Sequence, residues 1–243
     1  MKLYDKAETW EFGDGDPKFL HTNVIFQDGD SYLWAELPKR DHLIKDASID
    51  QSLLQKIPPE HIWPLFEDKF TICQNPNSPD VYIKQPRLTG YNGSASLGEY
   101  LLQEAQICQF LIKHPHKNVS HYLGCVVKSD RITGLCFQKY EATLADRLED
   151  GSVDESCLQQ VQAGINHLHK IGLVHNDIHL GNVMFASHSN MPVLIDFDSC
   201  AFKGNLLPDK RGRMPQGTCT AEFENDNFAL DMLRTELNLS KDA

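Results

Sequence analysis

Asp177 and Asn182 stand five residues apart in Leu173-Val174-His175-Asn176-Asp177-Ile178-His179-Leu180-Gly181-Asn182-Val183, a polar stretch between apolar flanks. Groups that do chemistry concentrate in loops held by rigid elements, and this segment has that placement. A third oxygen donor follows, because Asp196 ends the apolar run Val193-Leu194-Ile195 and begins Asp196-Phe197-Asp198. Two carboxylates and an amide brought together form a hard oxygen donor set. Such a set suits Mg²⁺, which keeps a few protein ligands and shares the rest of its shell with water and phosphate. Taken singly, each residue has an ordinary alternative: aspartate is favoured in turns, and a loop histidine such as His179 is as often a solvated imidazole. Their order and spacing are what give them weight.

For these groups to converge, short strands and helices must carry them. Residues 183–185 and 193–195 read as a small hairpin with polar residues at its entrances and exits. Runs at 81–83, 125–127 and 135–137 read as further strands. Residues 22–26 and 31–35 flank Gln27-Asp28-Gly29-Asp30, which predicts a hairpin closed by a D-G turn. Ser96 with Glu99 makes a capping box, and Leu101, Ala105, Cys108 and Ile112 recur at helical spacing, so a helix is expected over 97–113. On that helix Glu104 falls at the edge of the apolar stripe, where a paired carboxylate can face inward. A second helix over 156–170 carries Leu158, Val161, Ile165 and Leu168 on one stripe, and Gly172 suits its end. A last helix begins near Glu224 and ends around Leu237. Changes of texture at Pro58-Pro59 and near Gly151 mark candidate boundaries.

With those elements in place, the pattern resembles the protein-kinase signature set, H-R-D-x-x-x-x-N followed by D-F-G, over residues 62–237. Val81-Tyr82-Ile83-Lys84 is similar to the V-A-I-K strand, and Glu104 lies in the following helix at the place of the lysine's ion-pair partner. His114-Pro115-His116-Lys117-Asn118-Val119-Ser120-His121-Tyr122-Leu123-Gly124 resembles an H-P-N-I-V-x-Y-L-G stretch lengthened by two residues. The resemblance implies an α+β, two-lobed protein-kinase-like fold: an N-terminal extension with a hairpin at 1–60, a β-rich N-lobe at 61–140 and a shortened, mostly α C-lobe at 141–243. It implies an ATP- and Mg²⁺-dependent phosphotransferase acting on serine or threonine of a protein substrate. By the same carry-over, Lys84 holds the α/β-phosphates, Glu104 orients Lys84, and Asp177 accepts the acceptor hydroxyl's proton or positions that hydroxyl. Asn182 and Asp196 bind the metal, and Gln138 and Tyr140 meet adenine through their backbone. His175 and Phe197 pack as part of an internal spine, and Asp226 supports the catalytic loop. The wording Val-Leu-Ile-Asp-Phe-Asp-Ser-Cys is similar to compact serine/threonine protein kinase-like proteins of filamentous fungi.

The sequence also departs from the family pattern. Residues 70–80 contain no glycine, so no G-x-G-x-x-G loop precedes Lys84, and the glycine-bearing turn at Asp28-Gly29-Asp30 carries carboxylates that repel phosphate. Asp198 replaces the usual glycine, and His179 stands where serine/threonine kinases place a lysine. H-x-D-x-H-x-G-N is nearer to aminoglycoside and choline kinases, which makes a small-molecule alcohol the alternative acceptor. A pseudokinase binding module is the third reading, motivated by the missing glycine loop and opposed by intact Lys84, Asp177, Asn182 and Asp196. Only 61 residues follow Asn182 and no A-P-E element is present, so peptide-docking helices are expected to be reduced. Neutral Asn176 replaces the arginine that pairs with an activation-segment phosphate in regulated relatives. Phosphorylation of Thr218 or Thr220 is therefore expected to add little, unless Lys210, Arg211 or Arg213 takes the arginine's place.

Composition sets the outer bounds. The 243 residues are 41% hydrophobic, enough to bury a core, and the formal net charge of −11 argues against nucleic acid or an anionic membrane surface as a partner. No apolar run approaches the roughly 18 residues of a membrane span, and the first residues lack the apolar core of a secretion signal. The seven cysteines (73, 108, 125, 136, 157, 200 and 219) are scattered without a C-x-x-C pair. They read as reduced thiols, which points to a cytoplasmic or nuclear protein.

Overall fold

The computed structural model describes residues 1–13, 16–45, 49–151, 153, 155–187 and 189–239. By contacts the chain forms two compact units, one of residues 1–66, 85–102 and 128–133, the other of 67–84, 103–127 and 134–243.

The first unit is built on an antiparallel sheet of β1 (Lys2–Glu11), β2 (Lys18–Asp28), β3 (Ser31–Leu37) and β4 (Gln55–Lys56), in that order. The expected hairpin is β2–β3, closed by the pair Asp28 and Ser31, with Gly29 in the left-handed region at φ 59°. Period-2 alternation organises the packing around β2. Val24 and Phe26 join Ala35, Leu37 and Ile44 in one cluster, while Ile25 joins Ile57, Ile62, Leu88 and Tyr91 in another. With both faces covered, each such side chain contributes about 1.5–3 kcal/mol of burial. Asn23, buried among them, donates its amide to the Thr89 carbonyl at 2.8 Å. The short helix α1 (Pro59–Ile62) starts on proline, whose missing N–H costs nothing at a first turn.

In the second unit, β5 (Val81–Lys84) runs antiparallel to the end of the later strand that pairs Lys84 with Leu135. The helix α2 (Ser96–Leu111), β6 (Tyr122–Lys128) and β7 (Arg131–Gln138) follow in the chain, their residues 96–102, 128 and 131–133 grouping with the first unit and the rest with the second, and the sheet order is β5–β7–β6. The helix is shorter than the expected 97–113 because His114 precedes Pro115, and a residue before proline is pushed out of helical geometry. Thr143 and Asp146 form a reciprocal capping box that starts α3 (Leu144–Glu149) just after β8 (Ala142–Thr143). The predicted stripe of α4 (Glu155–Lys170) is buried at Leu158, Val161, Ile165 and Leu168. Gly164 in its middle permits close packing, since a Cβ there would stand 2.9 Å from the Asn118 carbonyl oxygen. Beyond β9 (Leu173–Val174) the expected hairpin forms from β10 (Val183–Phe185) and β11 (Pro192–Leu194), with β8 on the other side of β10. β12 (Ala201–Phe202) pairs with β9, and α5 (Phe223–Leu239) closes the described chain.

The architecture is the expected α+β one, sheet-rich first and helical later. Among the described residues the seven cysteines form no disulfide, with Cys219 exposed and the other six buried. Among the described residues, no helix is long and apolar enough to cross a membrane.

Candidate active site

The loop between β9 and β10 is held from below by α5. Asp226, fully buried in the first turn of that helix, accepts the backbone N–H groups of His175 at 2.9 Å and Asn176 at 2.8 Å, and the His169 Nε2–H at 2.8 Å. Asn176 adopts φ 62°, a left-handed conformation that asparagine tolerates better than most residues. Its side chain is committed: the amide donates to the Ser199 carbonyl at 3.0 Å, and the oxygen accepts from Asn225 at 3.0 Å. His175 donates Nε2–H to the Ile195 carbonyl at 2.9 Å and lies against the Phe197 ring. Asp177 is thereby presented at the end of a fixed turn. Asn182 donates its amide to both the carbonyl and the carboxylate of Asp177, at 2.9 and 3.1 Å, bonds that leave its own side-chain oxygen unengaged. His179 directs Nε2 toward Asp177 Oδ1 at 3.7 Å, while its Nδ1 accepts the Gly181 N–H at 3.0 Å. Burial pushes the Asp177 carboxyl upward, but His179, His175 and Lys210 outweigh it and hold the group below its usual range. The bond to Asp177 raises His179.

β5 and α2 supply a second cluster. Lys84 Nζ lies 2.8 and 2.7 Å from the two oxygens of Glu104, is hydrogen-bonded to Asp196 Oδ1, and stands 3.4 Å from Asp198 Oδ2. Glu104 also accepts the Phe197 N–H at 3.3 Å, so it braces the turn that carries both aspartates. A further cation enters from the segment after β12: Lys210 Nζ is 3.1 Å from Asp196 Oδ2 and 2.5 Å from Asp198 Oδ2. Burial opposes the charge on Lys84, but Glu104, Asp196 and Asp198 prevail and raise it above the ordinary lysine value. Burial likewise opposes ionisation of Asp196, but Lys84 and Lys210 hold it well below the usual carboxylate range. Glu104 goes the other way: burial, helped by the two aspartates, pushes it up to about 7 against the pull of Lys84.

Lys84, Glu104 and Asp196 line a cavity of about 310 Å³ together with Phe137, Gln138 and Tyr140. Gln138 has already committed its N–H to the His121 carbonyl at 2.9 Å. A second cavity, about 460 Å³, opens at Asp177 and His179 and is bounded by Gly212, Arg213, Leu233 and Glu236. Gly212 donates its N–H to the Asn176 carbonyl at 2.8 Å, and a Cβ there would fall 2.4 Å from Asp177 Oδ1, so only glycine fits. Carboxylate oxygens of Glu104, Asp196 and Asp198 lie within 4.8 Å of one another, and the Lys210 ammonium bridges the latter two. Carboxylate oxygens already gathered around a cation are hard donors of the kind that fits Mg²⁺.

In the sequence Asp198 stands out only as a departure and Lys210 only as a substitute phosphate partner, and nothing marks Asn225. Lys210 follows Asp196 by 14 residues in a stretch without regular structure, so no periodicity marks it. A family model described as the protein kinase domain matches residues 71–220, well over half of the chain. The chain is similar to the human "Serine/threonine-protein kinase/endoribonuclease IRE2", 27% identical over 128 residues, which is 49% of this chain and 12% of that protein. It is also similar to the rabbit (Oryctolagus cuniculus) "Calcium/calmodulin-dependent protein kinase type II subunit delta", 33% identical over 105 residues, 40% of this chain and 18% of that protein. The chain thus spans less than a fifth of the length of either relative.

Proposed function

The chain belongs to the protein kinase domain family, and from that membership we propose that it transfers the γ-phosphoryl group of ATP to a serine or threonine hydroxyl of a protein. The observation that carries this reading is the ion pair of Lys84 with the buried Glu104, set against Asp196 in the wall of the 310 Å³ cavity. Lys84 meets the α/β-phosphates, and Glu104 fixes its direction. Gln138 and Tyr140 flank the adenine end. Asn182 and Asp196 would hold Mg²⁺, which when bound neutralises charge on the phosphates.

Asp177 receives the acceptor hydroxyl. The acceptor oxygen forms a bond to the γ-phosphorus as the bond to the β,γ-bridging oxygen breaks, the electron pair leaves with ADP, and the hydroxyl's proton passes to Asp177 and then to solvent. Because its neighbours depress Asp177, it is a weak base at neutral pH. Its main work is therefore to orient the hydroxyl and take the proton late, which a loose phosphoryl-transfer transition state permits.

A small-molecule alcohol is the second reading, favoured by the 460 Å³ cavity that opens at Asp177 and by His179 beside it. Incubation with γ-labelled ATP, Mg²⁺, generic protein substrates and a pool of small alcohols separates the two. Label in protein is expected. Label confined to small molecules would move the acceptor to the second reading, and nucleotide binding without transfer would contradict both.

A further inference from the structure

We propose that Lys210 is a phosphate-binding catalytic residue, which supplies from the segment after Asp198 the cation that the loop around Asp177 lacks. The proposal rests on the reading of the site as one for Mg·ATP.

The need for a second cation is visible in the loop and in the charges. His179 stands where a lysine would serve the phosphates, but both its ring nitrogens face inward partners, Nδ1 bonded by the Gly181 N–H and Nε2 toward Asp177. The segment ahead of Lys84 contains no glycine to bring backbone N–H groups onto a phosphate. Asp198 adds a third carboxylate to Glu104 and Asp196, and all three face the single ammonium of Lys84 from that side. Uncompensated, that cluster would repel a triphosphate.

Lys210 answers each point. Its Nζ reaches Asp196 Oδ2 at 3.1 Å and Asp198 Oδ2 at 2.5 Å, whereas Lys84 occupies the other oxygen of Asp196. Asp196 is therefore flanked by one ammonium on each oxygen, and a phosphate brought to it through Mg²⁺ would have both positive side chains at hand. Two residues later, Gly212 ties the segment to the Asn176 carbonyl at 2.8 Å and lets the backbone pass beside Asp177. This tether keeps Lys210 near both the Asp196 and the Asp177 groups, where the γ-phosphoryl must move. The Lys210 side chain is about half exposed, and its long flexible stem can turn the ammonium from the carboxylates to a phosphate oxygen.

The test is calorimetric binding of Mg²⁺ with ADP, and of Mg²⁺ with an ATP analogue carrying a β,γ-imido bridge, to wild type, Lys210→Ala and Lys210→Arg. Lys210→Ala is expected to lose about tenfold or more in affinity for the ATP analogue, the size of one charge-assisted hydrogen bond, with ADP affinity within about twofold of wild type. Lys210→Arg is expected to keep most of the difference. Retained ADP binding also shows that the variant is folded. Equal losses for both nucleotides, unchanged affinities, or tighter binding of both would overturn the proposal, the last by showing that Lys210 only plugs the acidic bay. Failure of wild type to bind either nucleotide would instead overturn the Mg·ATP reading beneath it.

Discussion

Glu104 is the residue on which the Lys84 geometry depends, and its buried position beside Asp196 and Asp198 raises it to about 7. The consequence has a definite sign. A carboxyl with a raised pKa is protonated below that value, so lowering the pH through about 7 removes the anion that directs Lys84, while Lys84 itself stays charged. Mg·ATP is therefore expected to bind more weakly at pH 6 than at pH 8. Glu104→Gln is expected to bind weakly at both, having lost the step. Calorimetry across that range checks it, and a wild-type profile as flat as the variant's would sink the assignment. At this scale the sequence was informative wherever a residue sat on a regular element. Helical spacing put Glu104 at the edge of the α2 stripe, and the structure buries it there. Lys210 and Gly212 lie in an irregular segment, where no spacing foretells which side chain returns to the site.

The elements matter through a few buried attachments. Asp226 joins the start of α5 to the backbone of His175 and Asn176, and its loss would leave two buried N–H groups without partners. At about 1–2 kcal/mol each, Asp226→Ala is expected to cost about 2–4 kcal/mol. For a chain of this size that lowers the melting temperature by roughly 5–15 °C. Asp226→Asn, which keeps one acceptor oxygen, should fall between. Thermal unfolding of both variants checks the order, and a change below about 1 kcal/mol for the alanine variant would show that the loop is held some other way. The same attachments explain why Asn176 offers nothing to a phosphate, since Ser199 and Asn225 already use both ends of its side chain. Long helices were legible from their apolar stripes, whereas Ser96, read as a cap, lies inside α2. β1 was not, because its mixed, half-buried residues give weak alternation, and α3 is too short to show a period despite its capping box.

At the scale of the whole molecule, the residues matched by the protein kinase domain, 71–220, contain every group discussed for catalysis, while the β1–β4 sheet precedes them. The sheet's hairpin was readable from its D-G turn. That residues 85–102 and 128–133 group with it was not, because such contacts join stretches far apart in the chain and leave no local pattern. The central claim is that this fold brings Asp177 to an acceptor hydroxyl while Lys84 and Asp196 hold the nucleotide. Its most direct test compares wild type with Asp177→Asn for Mg·ATP affinity and for transfer of labelled phosphoryl to protein. Equal affinity is expected, with transfer by the variant reduced at least about 100-fold. Equal transfer by both proteins, or nucleotide binding by wild type with no transfer to any acceptor, would contradict it.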